Sequence, residues 1–213
     1  MDKVKICFEK RLFDIIIGFF SILLFVPFIL IILLAIFLEG IFISSSRGRF
    51  FYSEIRISLG EPFKIYKFRI FKEKSLKEAL RLSKKDVIHT KELERDKNNL
   101  TYVGRFLTRV YLDEIPQLFN VLKGDISLVG PRPTNVENYE RLILDGDFSK
   151  CLIKAGITGY FQSHKGLLFN KSQKDSDMEY IDFCRKNPGW KIILYDVKIL
   201  LITIKTVLRA EGI

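Results

Sequence analysis

From Ile15 to Leu38 the chain carries no charged residue. That run of about 24 residues exceeds the roughly 20 a helix needs to cross the hydrocarbon core of a bilayer. It constrains everything else, because a single segment in lipid must satisfy its own backbone hydrogen bonds and therefore has to be helical. Pro27 stands in the middle of the run. Proline withholds one backbone donor, and its ring collides with the carbonyl four residues earlier, here that of Leu23, so a break is expected there. Both flanks are basic, with Lys3, Lys5, Lys10 and Arg11 before the run and Arg47, Arg49, Arg56, Lys64, Lys67 and Arg69 after it. Basic flanks favour the cytoplasmic face. A straight span exports one of them, whereas a helix that breaks at Pro27 and returns keeps both inside. The sequence thus predicts a monotopic, re-entrant helix–break–helix over residues 1–46, with a single kinked span as the alternative. A secretory signal peptide fits poorly, because the run is too long and no small-residue cleavage site follows.

The remaining residues divide into a compact domain over 47–189 and a terminal helix over 190–213. The expected fold class is α+β and mostly helical. A net charge of +10 directs attention to anionic partners: nucleic acid, lipid headgroups or phosphorylated small molecules. The membrane segment favours the last two, and no RNA-binding signature or zinc-finger spacing supports nucleic acid. Cys7, Cys151 and Cys184 are widely spaced and odd in number, which reads as reduced thiols in a cytoplasmic setting. His89 and His164 are the only histidines, and neither has a neighbouring Cys or His. A zinc site or a Ser-His triad is therefore excluded.

Residues 50–58 and 62–70 read as a short β-hairpin about Gly60-Glu61-Pro62. The charge-dense stretch 72–99 reads as a solvated surface, with Ser75 and Glu78 resembling a capping box. In the last helix Lys191, Lys198 and Lys205 share one face, with Arg209 near it, among many aliphatic residues. An amphipathic helix of this kind suits the membrane interface, or else closes the soluble core.

The chemistry centres on Tyr111 to Asp125. Ile115, Leu118, Phe119 and Leu122 fall on one helical face, and Gly124 supplies the stop. Asp113 and Glu114 then stand at the helix start, where the dipole favours negative charge. Two readings follow from the residues alone: a capping aspartate with a first-turn glutamate, or a nucleophile and metal ligand facing a phosphate. Arg105 and Arg109 precede the pair. Gly130-Pro131-Arg132-Pro133 forms a stiff loop that suits a guanidinium to bidentate phosphate binding. Gly156-Ile157-Thr158-Gly159, followed by Gln162, is a second glycine-framed loop. Asp145-Gly146-Asp147 matches the D-x-D metal motif of nucleotide-sugar glycosyltransferases, and equally an Asp-Gly turn.

Taken in order, these segments resemble a family. Lys10-Arg11-Leu12-Phe13-Asp14 precedes the proline-broken apolar run. Phe63-Lys64-Ile65-Tyr66-Lys67-Phe68-Arg69 follows, then the block from Leu112 to Pro133, then Gly156 to Gly159. The match extends over essentially the whole chain and resembles the bacterial sugar transferases, in the form of the small monotopic phosphoglycosyl transferases without an added multi-span domain.

The resemblance implies transfer of a sugar-1-phosphate from a UDP-sugar to polyprenol (undecaprenyl) phosphate with release of UMP. That is the first membrane step of capsule, O-antigen, exopolysaccharide or glycoprotein-glycan synthesis, at the cytoplasmic face of the bacterial inner membrane. It further implies Asp113 as nucleophile in a two-step route through a phosphosugar–aspartyl intermediate, and Glu114 as the ligand of Mg²⁺. Arg132, Arg109, Arg105, Lys67 and Arg69 would serve the phosphates, and Thr158, Gly159 and Gln162 would lie near the nucleotide or sugar. Pro27 would mark the membrane-helix break. The chain departs from the family's usual pattern at Tyr111 (Ser or Thr), at Val26-Pro27 (Ser-Pro), at Ile70-Phe71 (Thr-Met) and over Tyr160 to Gly166. Asp177 and Tyr180 match an Asp-x-x-Tyr pattern to which no role is assigned. Two other readings stand beside this one: a metal-dependent glycosyltransferase using Asp145 and Asp147, and an inactive membrane scaffold of the same fold.

Overall fold

A computed structural model of the chain describes residues 2–82, 90–164 and 171–208. His89, Lys165, Gly166 and Arg209 lie outside them. The described chain is mostly helical, with two small sheets. The expected α+β class is what is found.

The apolar run lies within α1, Phe8–Phe42, which is helical without interruption through Pro27. No break into two helices appears at the proline. Proline costs a helix one hydrogen bond, and the turns on either side keep theirs. Most of this helix faces outward; of its most apolar window only 11% is buried against protein. Phe20, Leu24, Leu30, Ile31 and Leu34 are each at least half exposed, a surface that requires a lipid environment or a partner.

Next come β1, Phe51–Ser58, and β2, Glu61–Phe68, paired as the expected hairpin. The turn falls one step earlier than Gly60-Glu61-Pro62. Leu59 and Gly60 both have positive φ, 56° and 80°, as a two-residue turn requires to match the strand twist. Helix α2, Glu73–Leu82, contains no buried residue, in keeping with a solvated charged stretch. It begins before Ser75, so Ser75 lies inside it. There follow α3, Thr90–Arg95; α4, Tyr102–Arg109; and α5, Gln117–Lys123. Then come β3, Ser127–Val129; α6, Val136–Leu144; α7, Ser149–Leu152; and β4, Gly156–Thr158. The chain closes with α8, Tyr160–Ser163; α9, Gln173–Lys186; and α10, Gly189–Leu208.

The chain divides into two compact units. The first comprises Met1–Ser21, Ile55–Ile65 and Gln117–Ile213. At its centre β3 and β4 run parallel, with Ser127 opposite Gly156 and Val129 opposite Thr158. Val121, Ile126, Val129, Ile153, Ile181 and Ile199 form its buried core. The head of α1 is built into this core. Lys10 donates to the Asp196 carboxylate and to the Val129 carbonyl, and both ionic side chains are sealed from water. Tyr180 donates to Asp196 (2.7 Å) and Val129 O (3.2 Å). Asp14 accepts from Ser127 Oγ and Leu128 N. Arg11 donates to the carbonyls of Val121 (2.6 Å) and Leu122 (2.8 Å), and Lys154 to that of Gly124 (2.5 Å), so two cations satisfy the end of α5 where the dipole is negative. Asp177 pairs with Lys150 at 2.5 Å. The Asp-x-x-Tyr residues therefore each hold a buried polar link within this core.

α10 has two faces. Ile192, Asp196, Ile199 and Thr206 are buried, whereas Trp190, Leu194, Val197, Leu201 and Ile204 are exposed beside Lys191, Lys198 and Lys205. It closes the core with one stripe and presents an apolar stripe flanked by lysines with another.

The second unit comprises Ile22–Glu54 and Tyr66–Pro116. Phe68, Ile70, Phe71, Leu100 and Leu107 are buried in it, with Ile32 and Ile36 from α1. Phe51 stacks on Phe68, with ring centroids 5.5 Å apart.

Candidate active site

The carboxylate pair is not in the first turn of α5. Asp113 and Glu114 lie in a separate 3₁₀ turn, Leu112–Glu114, closed by a hydrogen bond from Ile115 N to Leu112 O. Pro116 explains the separation, because it lacks the N–H that would carry the hydrogen-bond ladder from the turn into α5. α5 then starts at Gln117 and stops at Gly124, whose φ of +86° is the left-handed exit that glycine supplies. Its buried face carries Leu118 and Val121, with Ile115 just ahead of it, while Phe119 is half exposed. Tyr111, where the family has Ser or Thr, takes φ +57° and makes no capping hydrogen bond. Left-handed backbone at a bulky residue is strained, and here it sets the direction of the carboxylate turn.

Lys67, from β2, reaches the pair. Its ammonium lies 2.8 Å from Glu114 and 3.7 Å from Asp113. The side chains of Lys67, Asp113 and Glu114 are 17, 7 and 14% exposed, so the cluster is largely shielded but open to water. Burial pushes the Asp113 carboxyl up to about 6; the Lys67 charge acts in the opposite sense, and the Glu114 charge adds to the rise. No cluster of three or more His, Cys, Asp or Glu side chains that could enclose a metal occurs among the described residues. Mg²⁺ is commonly held by one or two carboxylates together with substrate phosphates. The donors here fit an ion shared with a diphosphate rather than one caged by protein.

The other expected residues separate into two groups. In the second unit, Arg69 is buried and donates to the carbonyls of Arg49 (2.5 Å), Ser46 (2.8 Å) and Phe71 (3.0 Å). It organises backbone two residues beyond Lys67. Arg105 donates to Lys97 O and covers the Tyr102 ring, and Arg109 is exposed at the end of α4. In the first unit, the loop carrying Arg132 is fixed by Gly130 N to Thr158 O (2.9 Å) and Gly156 N to Pro131 O (3.0 Å). Thr158 shares a hydrogen bond with Thr203. A Cβ on Gly159 would strike the carbonyl of Gly130, which accounts for the glycine. Gln162 is buried, and its Oε1 has no hydrogen-bond partner among the described residues.

The Asp145-Gly146-Asp147 motif is a turn. Gly146 has φ +70°, Asp145 ends α6, and Asp147 Oδ1 accepts from Ser149 N at 2.9 Å.

Comparison with known proteins now decides the family. The family model for bacterial sugar transferases matches residues 5–210. The chain belongs to the bacterial sugar transferase family. It is 35% identical over 211 residues to the undecaprenyl-phosphate galactose phosphotransferase of Salmonella typhimurium, covering 96% of this chain and 41% of that protein. It is 31% identical over 201 residues to the UDP-glucose:undecaprenyl-phosphate glucose-1-phosphate transferase of Escherichia coli, covering 92% and 39%. A sugar transferase of Bacillus subtilis called EpsL, described as uncharacterized, is 36% identical over 165 residues, 76% of this chain and 72% of that protein. The chain thus spans about two fifths of the Salmonella and Escherichia relatives.

Residues that the sequence reading passed over include Glu39, Asn120 and the Lys10–Asp196 pair. Asn120 is fully buried and donates to Lys64 O and Asp125. Glu39 carried a legible signal, as the first charge after a long uncharged run.

Proposed function

We propose that this chain transfers a sugar-1-phosphate from a UDP-sugar to polyprenol phosphate, releasing UMP, through a covalent intermediate on Asp113. The observation that carries the proposal is the Asp113–Glu114–Lys67 cluster in a member of this family. Asp113 attacks the sugar-bearing phosphorus; a bond forms from its Oδ to phosphorus, and the bond to the UMP oxygen breaks with its electron pair leaving on UMP. An oxygen of the polyprenol phosphate then attacks the same phosphorus, restoring the carboxylate and giving the lipid-linked diphospho-sugar. An ionised carboxylate needs no general base for the first step, which suits a site with no histidine among the described residues; His164 is engaged with Ser163 and Tyr160. The Lys67 charge opposes the rise that burial imposes on the Asp113 carboxyl and so favours its ionised form. Glu114 would hold Mg²⁺, which offsets the charge of the diphosphate. Arg132 and Arg109 are the candidates for the remaining phosphate oxygens.

The membrane reading is re-entrant and monotopic on the cytoplasmic face. A single span puts the residues before Ile15 on the opposite side from everything after Leu38. The hydrogen bonds of Lys10, Arg11 and Asp14 to Val129, Val121, Leu122 and Ser127 argue against that, as α1 is the one helix among the described residues long and apolar enough to cross. A bend at Pro27 is how α1 would return. The lysine-flanked apolar stripe of α10 supports an interfacial placement for that helix.

The test is to incubate the protein with Mg²⁺, a panel of UDP-sugars and undecaprenyl phosphate. UMP is the expected nucleotide product. Release of UDP would favour the glycosyltransferase reading, and no turnover with any donor the scaffold reading. For topology, a cysteine at position 2, in a variant lacking Cys7, Cys151 and Cys184, is expected to resist a membrane-impermeant reagent in intact cells.

A further inference from the structure

We infer that Glu39, in the last turn of the membrane helix, is a positioning residue that fixes both halves of the Lys67–Asp113–Glu114 cluster. The inference rests on the reading of that cluster as the reaction centre.

α4 leads into the carboxylate turn, and the first N–H groups of any helix lack partners within it. Here each is accounted for. Glu39 Oε1 accepts from Tyr102 N (2.8 Å) and Glu39 Oε2 from Val103 N (2.9 Å). Thr101 Oγ1 accepts from Gly104 N (2.9 Å), and Arg105 N bonds to Thr101 O. Of the four donors from Thr101 to Gly104, a carboxylate from more than sixty positions upstream takes two, the Thr101 hydroxyl one and the Ile70 carbonyl one. A negative charge at this terminus is also favoured by the helix dipole. Between the end of α4 and Asp113 lie Val110, Tyr111 and Leu112, with Tyr111 fixed in the left-handed region. A tilt of α4 therefore passes directly to the carboxylates.

The same carboxylate serves the lysine side. Glu39 Oε1 accepts from Ser46 Oγ at 2.6 Å, and the Ser46 carbonyl accepts from Arg69, two residues beyond Lys67 on the same chain segment. Ser46 and Arg69 are both buried. Gly104 closes the loop: a Cβ there would overlap the backbone of Ile70, so α4 lies directly on the chain that carries Lys67. Glu39 is the point where the end of the membrane helix, the base of β2 and the head of α4 are joined.

The experiment compares wild type with Glu39→Ala and Glu39→Gln in membrane-mimetic discs. UDP titration counts nucleotide sites, so turnover is expressed per site that binds. Misplacing a reacting group by about 1 Å can cost on the order of a hundredfold, and Glu39→Ala is expected to lower kcat per UDP site by about 10- to 100-fold, with the donor KM within about twofold. Glu39→Gln keeps one acceptor oxygen and should recover most of the loss. Hydrogen exchange provides an arm independent of activity: Glu39→Ala should lose protection across 102–114 and retain it across 127–129. Wild-type kcat per site in Glu39→Ala would overturn the inference, as would a loss explained wholly by fewer UDP sites. Should wild type itself release no UMP, the functional reading falls. Exchange then decides the structural claim, and unchanged protection across 102–114 would overturn it.

Discussion

Two lysine–carboxylate clusters in this protein use the same chemical groups to opposite ends. Around Lys10, one ammonium meets one carboxylate, Asp196, whose remaining capacity is taken by Tyr180, and the side chains of the pair are 2 and 0% exposed. Around Lys67, one ammonium faces two carboxylates, and all three side chains retain some contact with water. The first cluster is balanced and saturated, so it has nothing left to offer a ligand. The second keeps a route for solvent and holds an acid that burial pushes up to about 6. A buried ion pair is a poor stabiliser against an apolar alternative, but removing one partner leaves an uncompensated charge at high cost. Function belongs with the cluster that water, and therefore a ligand, can still reach.

The largest expected effect separates the two on activity. Asp113→Asn should lower UMP release by about 10⁴-fold, the scale of losing a nucleophile, with the thermal midpoint unchanged or raised. Turnover at the wild-type rate would remove Asp113 from the chemistry. The next effect separates them on stability. Lys10→Met should cost about 3–5 kcal/mol, because Asp196 is left buried without a counter-charge. Adding Asp196→Asn should restore a large share, and denaturant melts of the single and double variants measure both. Equal stability of Lys10→Met and wild type would mean that the cluster is not sealed as described.

How much of this was legible depends on whether the information was local. The hairpin, the Gly124 stop and the apolar helix follow from short-range patterns, and each appears. Periodicity alone points to a helix from Ile115 with the carboxylates in its first turn, whereas the missing N–H of Pro116 closes that turn off and α5 starts at Gln117. The same spacing places Phe119 on the buried face, yet its ring is half exposed. The resemblance sets Arg69 among the phosphate residues, yet its guanidinium is spent on three backbone carbonyls. Pairings such as Lys10 with Asp196, or Glu39 with the head of α4, join residues far apart in the chain. No pattern in one sequence specifies such partners, although a solitary acid closing a 24-residue uncharged run marks a position with a task.

A smaller effect is a pH dependence peculiar to the Lys67 cluster. Burial raises the folded-state pKa of Asp113 to about 6 from the ordinary 3.8. Between those values the folded protein holds a proton that the unfolded chain has released. Stability is therefore lost as pH rises through that window. Asp113→Asn has no such titration, so without Mg²⁺ its stability relative to wild type should grow from pH 4 to 6.5, by on the order of 2 kcal/mol. A constant difference across that range would place Asp113 in a more solvated setting.

The smallest effect tests whether the clusters differ in kind or only in degree. Lys67→Met removes an ammonium beside two acids, yet Asp113 has an outlet that Asp196 lacks: it can take up a proton from the water it still contacts. The cost to stability should be about 1 kcal/mol, well short of that of Lys10→Met. Activity should fall by roughly tenfold, because Asp113 is less often ionised at neutral pH, and the loss should shrink as pH is raised. Lys67→Arg keeps the charge and should recover most of the rate. If Lys67→Met proved as destabilising as Lys10→Met, the two lysines would be doing the same job, and access to water would no longer distinguish the active cluster from the structural one.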